Sequence, residues 1–342
     1  MRPAIVLTSA AITAVAAITT FAARGAQAAP AGAAATSAAS GTTSSVASSV
    51  ASGTASGTAS FRLAAIAPAD DARKAVVIGT SGEVYEPDGK GAWVHRLQSS
   101  TADALVAAGR TGGAAGGAIV ALGEGVVYRL ATNGWSAIRL VQHGKAVLGA
   151  GVRSLAAVGR QLFSLDQLTR GEPTRLAVAP ANILAIGAGA KAVVIATEAG
   201  AFRLDGAKLV ALKTVPRRMR IVSDHWAIVD RGAIDLTTAT LTEWPSGLTI
   251  GVAVTTSGDA LVAIAASHAG LELVTLRGSK LERDPLGITG TAVGVVVDRA
   301  GRAVVALDDG RIALRDKAGW TTTQVTDQPP AEHPGAAPAT SN

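Results

Sequence analysis

Cysteine is absent from the chain. That excludes disulfide staples, thiolate metal ligands, a cysteine nucleophile and a lipid-modified N-terminal cysteine, so stability must come from packing and sheet formation. Aromatic residues are scarce too, at 3% of 342, with two tyrosines and five tryptophans. A core therefore has to be assembled from small aliphatic side chains, which suits the 48% apolar content. No long run of like charge occurs, and the formal net charge is +6. Arg2 and Arg24 fall in an N-terminal leader without acids, which leaves 29 bases against 25 acids, or +4, in the remainder. Over so long a chain this field is weak, and no nucleic-acid partner is expected.

Catalytic signatures are missing as well. There is no G-x-S-x-G elbow, H-E-x-x-H pair, phosphate-binding loop or oxygen-rich calcium loop. His95, His143, His225, His268 and His333 stand singly, so a metal site would need long-range convergence, and neither a metal nor a cofactor is expected. Ser223-Asp224-His225 holds the residue types of a hydrolase triad, but adjacent side chains do not converge in the required geometry. The string Gly187-Ala188-Gly189-Ala190 imitates a dinucleotide-binding turn, yet it leads into Val193-Val194-Ile195 rather than a helix and reads as a turn between strands.

What is present starts with two atypical ends. Residues 1–28 have one early base, an apolar stretch over 4–23 and the small-residue triplet Ala26-Gln27-Ala28, which predicts a signal peptide cleaved after Ala28. The rival reading is an uncleaved membrane anchor, since the stretch approaches the length of a bilayer span. Residues 29–60 are almost wholly Ala, Ser, Thr, Gly and Val, a linker composition that cannot bury enough surface to fold. Residues 327–342, with four prolines among small and polar residues, read as a disordered tail.

Between the ends, over 61–326, the chain repeats itself. Seven aliphatic runs open near Lys74, Gly117, Ser154, Lys191, His225, Ala260 and Arg302, spaced 34 to 43 residues apart with a mean of 38. Each is followed by a turn, an alternating run, a second polar turn and a last short strand; a further apolar run, such as 183–186 or 293–297, precedes most copies. Gly82, Gly125, Gly200, Gly232, Gly270 and Gly310 precede the alternating runs, where tight turns often need positive φ. Four antiparallel strands per unit and seven units without a helix between them predict an all-β fold, one seven-bladed β-propeller. In this phase no strand is exchanged between first and last blades. Either the ring closes by packing alone or the true phase is shifted by one strand.

Two sets of residues carry family resemblances. Leu162-Phe163-Ser164-Leu165-Asp166 with Thr169 and Gly171, Phe202-Arg203-Leu204-Asp205, and Ile234-Asp235-Leu236 with Thr240 and Trp244 resemble the pyrroloquinoline-quinone-type propeller repeat. Asp88-Gly89 before Trp93, Asn133-Gly134-Trp135, and Asp316 before Gly319-Trp320 resemble the Asp-box class, although the full box never occurs. Both resemblances imply the propeller architecture rather than a chemistry. Asp-box sialidases use a tyrosine nucleophile, whereas Tyr85 and Tyr128 fall at one repeat position, which argues for packing.

In a propeller, the loops between blades and the loops between second and third strands share one rim. Here they carry His143 and Lys145, the run Arg217-Arg218-Met219-Arg220, Arg231, His268, Glu198 and Asp308-Asp309. The candidate partner-binding residues are Arg217, Arg218, Arg220, Arg231, His143 and His268, a basic sector suited to an acidic protein loop, a surface glycan or a phosphate-bearing polymer. The expected protein is a secreted or periplasmic, monomeric, non-catalytic binding or scaffold module of the cell envelope, without stable membrane insertion after signal cleavage. The alternative is a propeller hydrolase or lyase with its site at the central channel.

Overall fold

The computed structural model describes residues 62–326, apart from the loop residues 98–100, 102–103, 112–116, 124–125, 139, 141–145, 150–153, 167–172, 190–191, 213–218 and 256–259. The segments 1–28, 29–60 and 327–342 therefore lie outside the described residues, as do His143, Arg217, Arg218 and Gly125.

Seven four-stranded sheets follow one another along the chain, each antiparallel with its strands in sequential order. We number them as blades 1 to 7, spanning 63–97, 107–138, 146–178, 183–211, 220–243, 249–285 and 292–324. Burial is greatest on the first two strands of a blade and least on the last, and composition follows it. In blade 7 the second strand Ala303–Leu307 is buried throughout, Arg311–Asp316 is buried only at Ile312 and Ala313, and Gly319–Gln324 is mostly exposed. Continuous aliphatic runs thus form the strands covered on both faces, and alternating runs form those half covered.

Each blade packs face to face on the next. The buried apolar residues among those described form seven clusters, and each joins one consecutive pair of blades: Val305 and Val254 for blades 7 and 6, Ile66 and Val304 for 1 and 7, Leu148 and Val120 for 3 and 2 are examples. Seven junctions for seven blades mean a closed ring, since an open array would have six. The predicted blade count, strand count and phase are all met.

Closure does not rest on packing alone. On one rim Leu63 N–H donates to Asp308 O at 3.2 Å. On the other, the buried Asp298 of blade 7 accepts from Ala72 N–H of blade 1 at 3.2 Å and from its own neighbours Ala300 N–H, Arg302 N–H and Arg302 Nε–H at 2.9, 3.0 and 2.7 Å. Arg302 also pairs with Asp71 of blade 1 at 3.2 Å. At the outer edge the chain leaving blade 7 buries Val325 and makes a parallel bridge from Thr326 to Val94 on the last strand of blade 1.

Glycines on the innermost strands let these strands approach. A Cβ on Gly149 would lie 2.6 Å from Ile186, one on Gly187 2.3 Å from Ile221, and one on Gly294 2.4 Å from Ile66, each isoleucine belonging to the following blade. Gly187 is therefore part of the strand Ile183–Ala188 and a socket for its neighbour, not the turn residue its sequence context implies. Gly232 departs from expectation in the same way. Gly82, Gly200, Gly270 and Gly310 have positive φ, whereas Gly232 is needed because a Cβ would lie 2.3 Å from Thr242 O.

Candidate functional site

The innermost strands of blades 1, 2, 6 and 7 wall a small space with apolar residues, among them Ala65, Ala108, Val252, Val254 and Val295. Innermost strands turn one face to each neighbouring blade, so the hydrophobic effect that assembles the ring selects small apolar residues on them. Among the described innermost strands the charged residues are Arg110 and Arg220. No group of three or more His, Asp or Glu side chains able to hold a metal occurs among the described residues.

The predicted rim residues divide. Arg231 is exposed in the tight turn between Trp226–Val229 and Gly232–Asp235 of blade 5. His268 is exposed in the equivalent turn of blade 6, between Leu261–Ser267 and Gly270–Arg277. Sheet topology puts these turns on the same rim of adjacent blades. Blade 4 offers Glu198 there, with Asn182 Nδ2 donating to it at 3.4 Å, and blade 7 offers Asp309, which is taken by Arg311 at 2.8 Å. That pairing holds the Asp309 carboxyl below its ordinary range, the Arg311 hydrogen bonds outweighing its burial.

Arg220 is not the loop charge its sequence context predicts. It opens the innermost strand of blade 5, Arg220–Ile221, opposite Ile228 of the next strand. The alternation of that strand sends Ile221 to blade 4 and Arg220 to blade 6, where Nη1 donates to Gly251 O. Its Nε and Nη2 are out of solvent and without a hydrogen-bond partner. Burial lowers the Arg220 guanidinium to about 10, with no carboxylate opposing it.

Other polar sequences resolve as structural. Ser223 Oγ accepts from His225 N–H at 3.1 Å and Trp226 N–H at 3.3 Å, while Asp224 Oδ2 accepts from Ala192 N–H of blade 4 at 3.3 Å. The apparent triad is thus a turn and an interblade tie. Tyr85 is buried against His95, with ring centroids 5.3 Å apart, and Tyr128 is buried at the equivalent strand position, in keeping with a packing role. The aspartates of the repeat motifs cap turns: Asp88 Oδ1 accepts from Lys90 N–H at 2.7 Å, Asp235 Oδ1 from Thr237 N–H at 2.7 Å, and Asp316 Oδ1 from Ala318 N–H at 2.7 Å. A cavity of about 470 Å³ between blades 1 and 2 is lined in part by Arg96 and Arg110, but Arg96 is bonded to Glu86 and Arg110 to the carbonyls of Pro68 and Gly117.

No protein-family model matches the chain, and comparison with curated proteins yields no match. Solved propellers are similar in fold. The WD40 β-propeller domain of Doa1 has 12% identity and a TM-score of 0.52, covering 75% of this chain and 94% of that one. YCF48 bound to D1 peptide has 11% identity and a TM-score of 0.54, with coverage of 78% and 94%. A streptogramin B lyase has 13% identity and a TM-score of 0.54, with coverage of 76% and 93%. At these identities the likeness is one of fold alone.

Proposed function

We propose that this propeller is an exported, non-catalytic binding module of the cell envelope, released from or tethered to its site of export through residues 29–60, and that it engages an acidic partner on the rim carrying Arg231 and His268. The observation behind this reading is the apolar lining of the innermost strands. A hydrolase or lyase working at the channel needs acid and base groups within reach of a substrate there, and the lining shared by blades 1, 2, 6 and 7 supplies Ala, Val, Ile and Gly. Function then moves to the loops, where a propeller holds side chains on a rigid ring. Among proteins of this fold, YCF48 is bound to the D1 peptide and the Doa1 domain is of the WD40 type, which supports a binding role in general terms.

The test has two arms. Export is read by N-terminal sequencing of the extracytoplasmic protein, with a start near Ala29 expected; an intact Met1 confined to membranes counts against it. Binding is read by titrating the mature protein with deca-glutamate and with a uronate oligosaccharide at low and high salt. Substituting Arg217, Arg218 and Arg231 together by Ala should weaken binding and flatten its salt dependence, since exposed charges act through a screened field. Equal binding by the variant overturns the basic-sector assignment.

A further inference from the structure

Blades 1 and 2 leave between them the cleft of about 470 Å³, a volume within the range of roughly 300–1,000 Å³ typical of small-molecule sites. Its floor is apolar. Val84 and Ile119 belong to the cluster that joins the two blades, and Leu97 and Leu130 pack on that cluster while keeping part of their surface open. Val84 and Leu97 are cross-strand partners in blade 1, and Leu130 shares a strand face with Tyr128 of the same cluster, so strand pairing and alternation turn all four to the junction.

The wall is cationic. Arg110 ends the innermost strand Ala107–Arg110 two residues after Ala108, a member of the same cluster, so alternation turns it toward blade 1. There its Nε donates to Pro68 O, and its Nη1 donates to Gly117 O at 3.4 Å. Both acceptors are neutral, so these bonds hold the guanidinium in place without cancelling its charge. Burial pulls Arg110 below the ordinary arginine range, with Glu86 and then Asp70 acting in the opposite sense. Asp70 is exposed, where water screens it, and Glu86 is already bonded to Arg96. Arg129 turns with Val127 toward blade 3 by the same alternation and is not counted. Arg96 and Arg110 against Glu86 leave the cleft one positive charge in excess.

We propose that this cleft is a binding site for a small monocarboxylate with an apolar body. The body lies on Val84, Leu97, Ile119 and Leu130, releasing water from their open surface, and the carboxylate meets the guanidinium of Arg110 in a charge-assisted hydrogen bond. Arg96 keeps Glu86 occupied, so that the acid does not repel the ligand. The site is separate from the rim proposed above, and neither reading rests on the other.

The experiment titrates the full chain with four probes that share an eight-carbon body and differ in the head: octanoate, octan-1-ol, octylamine and octyl phosphate. Octanoate should bind more tightly than octan-1-ol or octylamine and should shift the amide resonances of Val84, Ile119 and Leu130. Arg110→Gln should weaken octanoate about tenfold or more and leave octan-1-ol unchanged. Should Arg110→Gln fail to fold, Arg96→Gln takes its place: Arg96 is 61% exposed and its removal frees Glu86, so octanoate should weaken and octylamine strengthen. No amide shift in the cleft, or shifts confined to Arg231 and His268, overturns the site. Octan-1-ol binding as tightly as octanoate overturns the carboxylate head, and tighter binding of octyl phosphate overturns the single charge.

Discussion

Gly294 of blade 7 and Ile66 of blade 1 meet across the seam where the ring closes, with room for no more than the glycine hydrogen: a Cβ there would lie 2.4 Å from Ile66 Cγ2 and 3.1 Å from Ile66 N. Ile66 is 1% exposed, so it cannot swing into solvent without giving up its burial. Gly294→Ala should therefore destabilise the fold by roughly 1–3 kcal/mol through overpacking. Adding Ile66→Ala removes the opposing methyl, and the double variant should lose less stability than the two single losses combined. Additive losses in denaturant unfolding would show that the two residues do not press on each other.

Asp298 ties the same seam from the other rim. Its carboxylate is buried and receives hydrogen bonds from three backbone amides and one guanidinium, one of those amides belonging to blade 1. Asp298→Ala leaves these donors without their acceptor, at a cost of about 2–4 kcal/mol. Hydrogen exchange should rise first at Ala72, ahead of the amides within either blade; a uniform rise would argue against a local seam.

The chain returning from blade 7 is a third closure. Val325 is 3% exposed in the cluster between blades 7 and 1, and Thr326 N–H donates to Trp93 O at 3.2 Å. A chain ending at residue 326 should melt as the full chain does. Ending it at residue 324 removes one buried valine and the backbone hydrogen bonds from Val325 N–H to Gly310 O and from Thr326 N–H to Trp93 O, an expected loss of roughly 2–5 kcal/mol. Equal melting temperatures for the two truncations would mean that the bridge contributes nothing.

Blade 6 provides a pH test. Glu272 is buried, with Arg283 bonded side-on and 42% exposed. The Arg283 hydrogen bonds hold the Glu272 carboxyl below its ordinary 4.5. A lowered folded-state pKa gives stability that is fully present above 4.5 and lost as pH falls through the folded value. Arg283→Ala leaves the Glu272 carboxylate without its main partner and should lower stability at pH 7 by more than Glu272→Gln does, which frees an arginine that water can reach. In Arg283→Ala the lowering by Arg283 is gone and the Ser267 hydrogen bond remains, so the Glu272 pKa lies closer to its ordinary value and the deficit against the parent should shrink as pH falls below 4.5. A deficit independent of pH would exclude the linkage.

The propeller could be read from residue order because its signals are local. Aliphatic runs, alternating runs and turns recur with a period near 38 residues, and each is a property of a short stretch obeying strand geometry. The same holds for the packing role of Tyr85 and Tyr128, visible from their shared place in the repeat. Blade phase was legible too, since the first apolar run after residue 61 is the innermost strand Leu63–Ala67 and the last is the outermost, Gly319–Gln324.

What residue order left open depends on partners far apart in the chain. Ring closure joins Asp298 to Ala72 and Thr326 to Trp93, pairs separated by more than half the sequence, and no local pattern announces them. Gly187 has the sequence surroundings of a turn and the role of a socket, because its neighbour is Ile221 of another blade. Arg220 stands in a run of arginines that reads as an exposed loop, yet a one-residue strand alternation sends Ile221 to one blade and Arg220 to the other. Composition and period determined the architecture, because strands and turns are encoded by nearest neighbours. Only the closed ring decided which glycines had to stay bare and which arginine was buried without a counter-charge, because those depend on which blades come to face each other.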